Sequence, residues 1–264
     1  MGFHTPLRWL LSAAAGLSIL APVGAALAES SFQVSVNFPP PPSGQGGPSR
    51  TAGGGVRGDL CFVPAEGVTP SVVIAPADNQ LTTVDETPIF YVYLPKNNAP
   101  VIELAIFDAD FNEYYKQIPL PAELRTAMAA GPMLLEVVVD DFTLAADEVY
   151  EWYLALRCDL DDPTSYVQQL GGTIQRLESS EALEVAITAA DSPLTEANAY
   201  ADARIWNETV AAVLSMRGDR PEEWEQLIRS SFDPSEDKRL EIVNLEDLFN
   251  APLQVLTLEL ELQE

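Results

Sequence analysis

The chain has 264 residues, 47% of them hydrophobic, with 14 Lys plus Arg against 40 Asp plus Glu, two Cys and one His. That length and apolar content suffice for a buried core, so wholesale disorder is excluded. A net charge of −26 excludes nucleic acid and anionic membrane surfaces as partners, since both are bound through Lys and Arg.

Residues 1–28 read as a secretory signal peptide. His4 and Arg8 precede an apolar stretch from Trp9 to Leu20, and Ala26-Leu27-Ala28 supplies the small-residue end before Glu29. Pro22 and Gly24 interrupt the apolar run, which is shorter than the roughly 20 residues of a membrane span. The expected mature chain is exported, periplasmic or extracellular, with no transmembrane segment. Cleavage after Ala28 removes the sole histidine, and with it triads, acid–base pairs and metal sites built on imidazole. Residues 29–58 follow as a Pro/Gly-rich disordered linker: Pro39 to Pro42 run together and Gly53 to Gly55 close the stretch.

Residues 59–178 carry short apolar, β-branched runs with Pro, Gly, Asp or Asn between them: Val72 to Ile74, Ile89 to Leu94, Val101 to Phe107, Tyr114 to Ile118, Met133 to Val139, Val149 to Cys158 and Val167 to Leu177. In Val149 to Cys158 one alternating set, Tyr150, Trp152, Leu154, Leu156 and Cys158, is wholly apolar and aromatic, so it faces the core. In an oxidising compartment Cys61 and Cys158 are expected to form a disulfide. Closing a loop of nearly a hundred residues removes about 4 to 5 kcal/mol of unfolded-chain freedom. The expected fold is mainly β with α: an antiparallel β-sandwich of immunoglobulin-like type, with Trp152 in its core, then a C-terminal helical hairpin.

The period changes to helical over 179–232. Leu183, Ile187 and Ala190 mark one helix, and Ala199 to Leu214 form the stripe of a second from Thr195 to about Met216, with Trp206 on it. Gly218 ends that helix, and Pro221 opens a third carrying Trp224, Leu227 and Ile228. Residues 233–264 form an acidic tail: Leu245 to Phe249 predicts a helical turn, and Leu253 to Leu262 alternates as a strand able to pair with a sheet edge.

Tyr150-Glu-Trp152-Tyr153-x-x-Leu156-x-Cys158-Asp159, Gly171-x-x-Ile174-Gln-Arg176, Ala199-Tyr200-Ala201-x-Ala203-x-Ile205-Trp206 and Trp224-x-x-Leu227 occur in that order. With Pro88-x-Phe90-x-x-Tyr93-Leu94-Pro95 and Ala251-Pro252, the pattern over about residues 56 to 252 resembles the cyanobacterial exported family called domain of unknown function 928. The resemblance implies an exported protein with a β-rich body and a helical end, and implies no activity. Arg204 departs from it, standing where the family tends to have Gly before Ile-Trp.

Asp108, Asp110 and Asn112 alternate in a hairpin turn, a spacing at which oxygens hold calcium. Glu113 and Pro119 at the sixth and twelfth positions exclude an EF-hand loop, and turn formation alone accounts for these residues. Asp159, Asp161 and Asp162 form a second acidic group of the same kind. Calcium is thus the one cofactor with candidate ligands, and otherwise none is expected. Two carboxylates flanking a cleft would make a hydrolase of envelope polysaccharide. Phe90, Tyr91, Tyr93, Tyr114 and Tyr115 offer a stacking platform, with Tyr91 and Tyr93 on the face opposite Phe90, but packing in the core or between sheets is the favoured reading of these aromatics. Arg57-Gly58-Asp59 and Arg217-Gly218-Asp219 match an adhesion tripeptide by chance. The leading expectation is a noncatalytic interaction module whose partner is an envelope protein or a glycan.

Overall fold

The computed structural model describes residues 35–39, 68–159, 161, 166–231 and 243–258. Two sheets carry the body. The first is ordered β1-β3-β6-β9, from Val72–Val73, Ile89–Leu94, Met133–Val139 and Leu253–Leu258. The second is ordered β2-β8-β7-β4-β5, from Gln80–Thr83, Tyr166–Arg176, Val149–Arg157, Val101–Phe107 and Glu113–Pro119. Helix α1, Ala122–Ala130, joins β5 to β6, in a stretch where no helix is expected from the sequence. Leu124 and Met128, one turn apart, are its buried residues.

The sheets are not purely antiparallel. β2 runs parallel to β8, and β9 runs parallel to β6. Sequence-adjacent strands pair antiparallel, as β4 with β5 and β7 with β8 do, whereas parallel pairing needs the long connections that precede β8 and β9. β9 is the alternating tail strand: Leu256 and Leu258 are buried and Val255 and Thr257 exposed, and it lies on its own molecule's edge strand.

Alternation on β7 fixes how the sheets meet. Tyr150, Trp152, Leu154 and Leu156 are buried while Val149, Glu151 and Tyr153 are exposed. Trp152 stacks at 4.3 Å on Phe90 of the other sheet. β3 is buried along both faces, which a strand facing a second sheet alone would not be. Tyr91 and Tyr93, opposite Phe90, lie under helices. Burial and the acids Glu136 and Glu208 push the Tyr91 phenol well up, and burial with Asp247 pushes Tyr93 up to about 12. These two residues are therefore core, not part of an exposed aromatic platform.

The helical part is larger than a hairpin. It comprises α2 Glu181–Ala189, α3 Pro193–Asp202, α4 Trp206–Met216, α5 Pro221–Ser231 and α6 Leu245–Asn250. Ser180 caps α2, and Ser192 with Thr195 forms a capping box on α3. The single helix expected from Thr195 to Met216 is broken at Ala203-Arg204-Ile205. Arg204 takes φ 61, and the Thr82 hydroxyl donates to Arg204 O at 2.6 Å and accepts from Trp206 N at 2.9 Å. A strand side chain thus replaces helical bonds that continuous winding would have made.

Trp206 and Trp224, both fully buried, tie α4 to the segment after β1 and α5 to α6. Trp206 Nε1 donates to Ile74 O at 3.0 Å, and Trp224 Nε1 donates to Leu248 O at 3.1 Å. The stretch assigned to a disordered linker also contributes: Val36 and Phe38 are 0% and 7% exposed and belong to the same core. Their apolar side chains overrule the Pro/Gly composition that follows them.

Candidate functional site

Among the described residues, the outer face of the five-stranded sheet carries exposed aromatic side chains near its centre. Ala105 on β4 pairs with Tyr115 on β5 and with Tyr153 on β7, so the two tyrosines stand on either side of it in one row. They are 48% and 37% exposed, and two strand spacings put their backbones about 10 Å apart. Both rings are tied down at the hydroxyl. Tyr115 OH donates to Glu103 Oε1 at 2.7 Å and accepts from Gln117 Nε2 at 3.0 Å. Tyr153 OH donates to Glu151 Oε2 at 3.2 Å. Each phenol is bonded to a residue two positions away on its own strand, so the rings lie along the strands and lean in opposite directions.

Glycine makes this posture possible on β8. A Cβ on Gly171 would come within 2.8 Å of the Tyr153 ring and 2.7 Å of Trp152 O. Gly172 leaves room for Asn79, whose amide donates to Gly171 O at 3.0 Å from a backbone at φ 57. Phe107 meets the Tyr153 ring at 6.0 Å, extending the apolar patch.

Polar groups surround the rings in a fixed arrangement. Glu103 Oε1 accepts from Arg157 at 2.7 Å and from Gln117 at 2.9 Å, and Arg157 is 2% exposed. A buried guanidinium bonded to a carboxylate holds that carboxylate in register. The face therefore offers two aromatic surfaces, amide donors and carboxylate acceptors on a rigid support. A tyrosine ring pairs an apolar face with a polar tip, so this arrangement can meet a molecule that presents both apolar faces and hydroxyls.

Residues 52–236, more than half of the chain, match the family described as Domain of Unknown Function (DUF928). The chain belongs to that family. The DUF928 match takes in the aromatic face, both sheets apart from β9, and helices α1 to α5. No curated protein matches the chain.

The other residues singled out from the DUF928 sequence have definite places. Asp108 Oδ1 accepts from Asp110 N at 2.9 Å and Asn112 N at 2.8 Å, and Oδ2 accepts from Asn112 Nδ2 at 2.7 Å. These bonds hold the Asp108 carboxyl below its ordinary range and close the hairpin. Asp159 Oδ1 accepts from Asp161 N at 2.9 Å; Asp162 lies outside the described residues. Cys158 is half-buried at the end of β7, no free cysteine occurs among the described residues, and Cys61 lies outside them. Arg217 of the second adhesion-like tripeptide bonds Phe249 O, and Ala251 O at 2.8 Å, so its guanidinium serves the fold. Tyr114 is half-buried, donating to Asp141 at 2.5 Å beside the Lys116–Asp141 pair. Residues 1–28, with His4, and Arg57-Gly58-Asp59 lie outside the described residues.

Two carboxylate settings bear on catalysis. Glu181 and Glu184 line an open concavity of about 450 Å³ along α2, but both project from one helix, whereas an acid and base must flank a substrate. Glu208 on α4 lies against the loop after β2: its Oε1 accepts from Thr83 Oγ1 at 2.6 Å, Val84 N at 2.8 Å and Asp85 N at 3.2 Å. Burial raises its pKa and that of Glu136. The Glu208 bonds fasten a loop to a helix, which is structural work. Among the described residues, no helix is long and apolar enough to cross a membrane.

Proposed function

We propose that this DUF928 protein is an exported, noncatalytic binding module of the cell envelope, and that it holds a neutral polysaccharide across the outer face of its five-stranded sheet. The carrying observation is the pair of exposed, hydroxyl-anchored tyrosines on either side of Ala105. Sugar rings stack on such faces through their C–H bonds, while Gln117, Glu103 and Glu151 meet hydroxyls at the rim. The acids around the patch, Glu103, Glu113 and Glu151, repel acidic polysaccharides and supply acceptors to neutral ones.

The body is read as an immunoglobulin-like sandwich. Support comes from its first strand, split so that β1 joins β3 in one sheet and β2 runs parallel to β8 in the other. The Cys61–Cys158 disulfide is the cross-link proposed to steady β7, and the leader at 1–28 is the proposed route of export. Affinity gels loaded with neutral or uronic-acid polysaccharides test the binding reading. Retardation is expected on neutral gels, weakened about ten-fold, or ~1.4 kcal/mol, by the double change Tyr115→Ala and Tyr153→Ala. Equal migration of wild type and double variant on every gel would remove this face from consideration.

A further inference from the structure

Residues 35–39 touch helices nearly two hundred positions away without joining any sheet. Ser35 and Asn37 face water while Val36 and Phe38 are buried, the alternation of an extended peptide laid on a surface. Phe38 meets Trp206 edge-on at 4.9 Å. Val36 N donates to Glu223 Oε2 at 3.0 Å. Glu223 is a carboxylate at 1% exposure, and Arg220 binds its other oxygen at 3.1 Å. Burying a charge this completely is tolerated when hydrogen bonds occupy its oxygens. Here one of those bonds comes from the backbone of a peptide that no ladder holds in place.

We propose that the surface around Trp206 on α4 and Glu223 on α5 is a recognition groove for extended peptides with an apolar residue followed two positions later by an aromatic one. Residues 35–39 are its resident, exchangeable occupant. The buried carboxylate takes the amide of the apolar residue, and the indole edge takes the aromatic ring. Side chains pointing the other way are unread, so Ser35 and Asn37 positions tolerate change. This is recognition of an extended peptide by pockets for alternate side chains, with a buried carboxylate in place of a strand edge. The occupant belongs to the same chain as its groove, and an intramolecular occupant acts at an effective concentration of about millimolar order. A partner peptide therefore competes with the chain's own arm, independently of any ligand on the sheet face.

The test uses a fluorescent synthetic peptide of residues 31–40 and the full chain. In a Val36→Asp/Phe38→Asp variant the arm is released, and the peptide is expected to bind at least about ten-fold more tightly than to wild type. A Phe38→Ala version of the peptide, and Glu223→Gln in the released variant, should each weaken binding. A released variant that keeps its thermal transition and ignores the peptide at about 1 mM overturns the proposal. Hydrogen exchange on the wild type decides the matter if the variant does not fold. The Val36 amide is expected to exchange far faster than those of Trp152 and Leu154, and equal protection would make the segment fixed core and overturn the proposal.

Discussion

Arg204 is a residue with a side chain in a backbone conformation that suits glycine. It sits between α3 and α4 at φ 61, exposed, with its carbonyl held by the Thr82 hydroxyl. The left-handed region costs a residue bearing a Cβ about 1–2 kcal/mol. Glycine avoids that cost but loses roughly 0.5–1 kcal/mol more chain freedom on folding. The difference favours Arg204→Gly by about 0.5–1 kcal/mol, a rise of roughly 1–4 °C in Tm for a domain of this size. Arg204→Val should lie below the wild type, because a β-branched residue fits the region worst. Urea titrations of the three proteins, compared by midpoint at constant slope, read the order directly. A glycine variant no more stable than wild type would refute the strain argument and leave Thr82 as the whole cause of the helix break. The same experiment tests why the family resemblance pairs Gly with the following Ile-Trp.

Other outcomes follow from single contacts. Gly171→Ala would drive a Cβ against Trp152 O at 2.7 Å, backbone that cannot swing aside, and should cost about 1–3 kcal/mol in chemical denaturation while unseating the Tyr153 ring. Trp206→Phe would orphan the Ile74 carbonyl and lower stability by about 1–3 kcal/mol, read from the same titration. Glu208 has a folded pKa raised above its ordinary value of 4.5, so its contribution to stability is fully present below that value and lost as pH rises through the folded pKa. Scanning calorimetry of wild type and Glu208→Gln above pH ~4.5 should show the wild type losing more Tm with rising pH, and parallel curves would contradict the assignment.

Much of the body was legible because its signals are local. The alternation of β7 separates Trp152 from Tyr153 by pattern alone, and the tail strand alternates just as plainly. What could not be read depends on partners distant in sequence. The break before Trp206 is imposed by Thr82, more than a hundred residues earlier, and no propensity in 195–216 announces it. Tyr91 and Tyr93 alternate with a core residue, so the pattern alone leaves core and exposed placements both open, and the helical layer that covers the second face of β3 follows much later. Helix α1 was hidden between Pro121 and Gly131 in a stretch read as connection. As for the candidate site, Tyr115 was visible as an aromatic and Tyr153 as lying on the face of β7 opposite Trp152. Their pairing across Ala105 required the register.

The parallel pairing of β9 with β6 sets an order of events for the chain. Leu134 lies opposite Leu253, so the four-stranded sheet closes only when its last strand has arrived. Contacts so distant in sequence form slowly, because loop closure precedes any gain from pairing. A chain threaded through a membrane from its N-terminus would keep β6 as an open edge until the end has crossed, a delay that favours passage in an unfolded state. The cost is an adhesive edge in the interval, and a truncation before Leu253 would make that interval permanent.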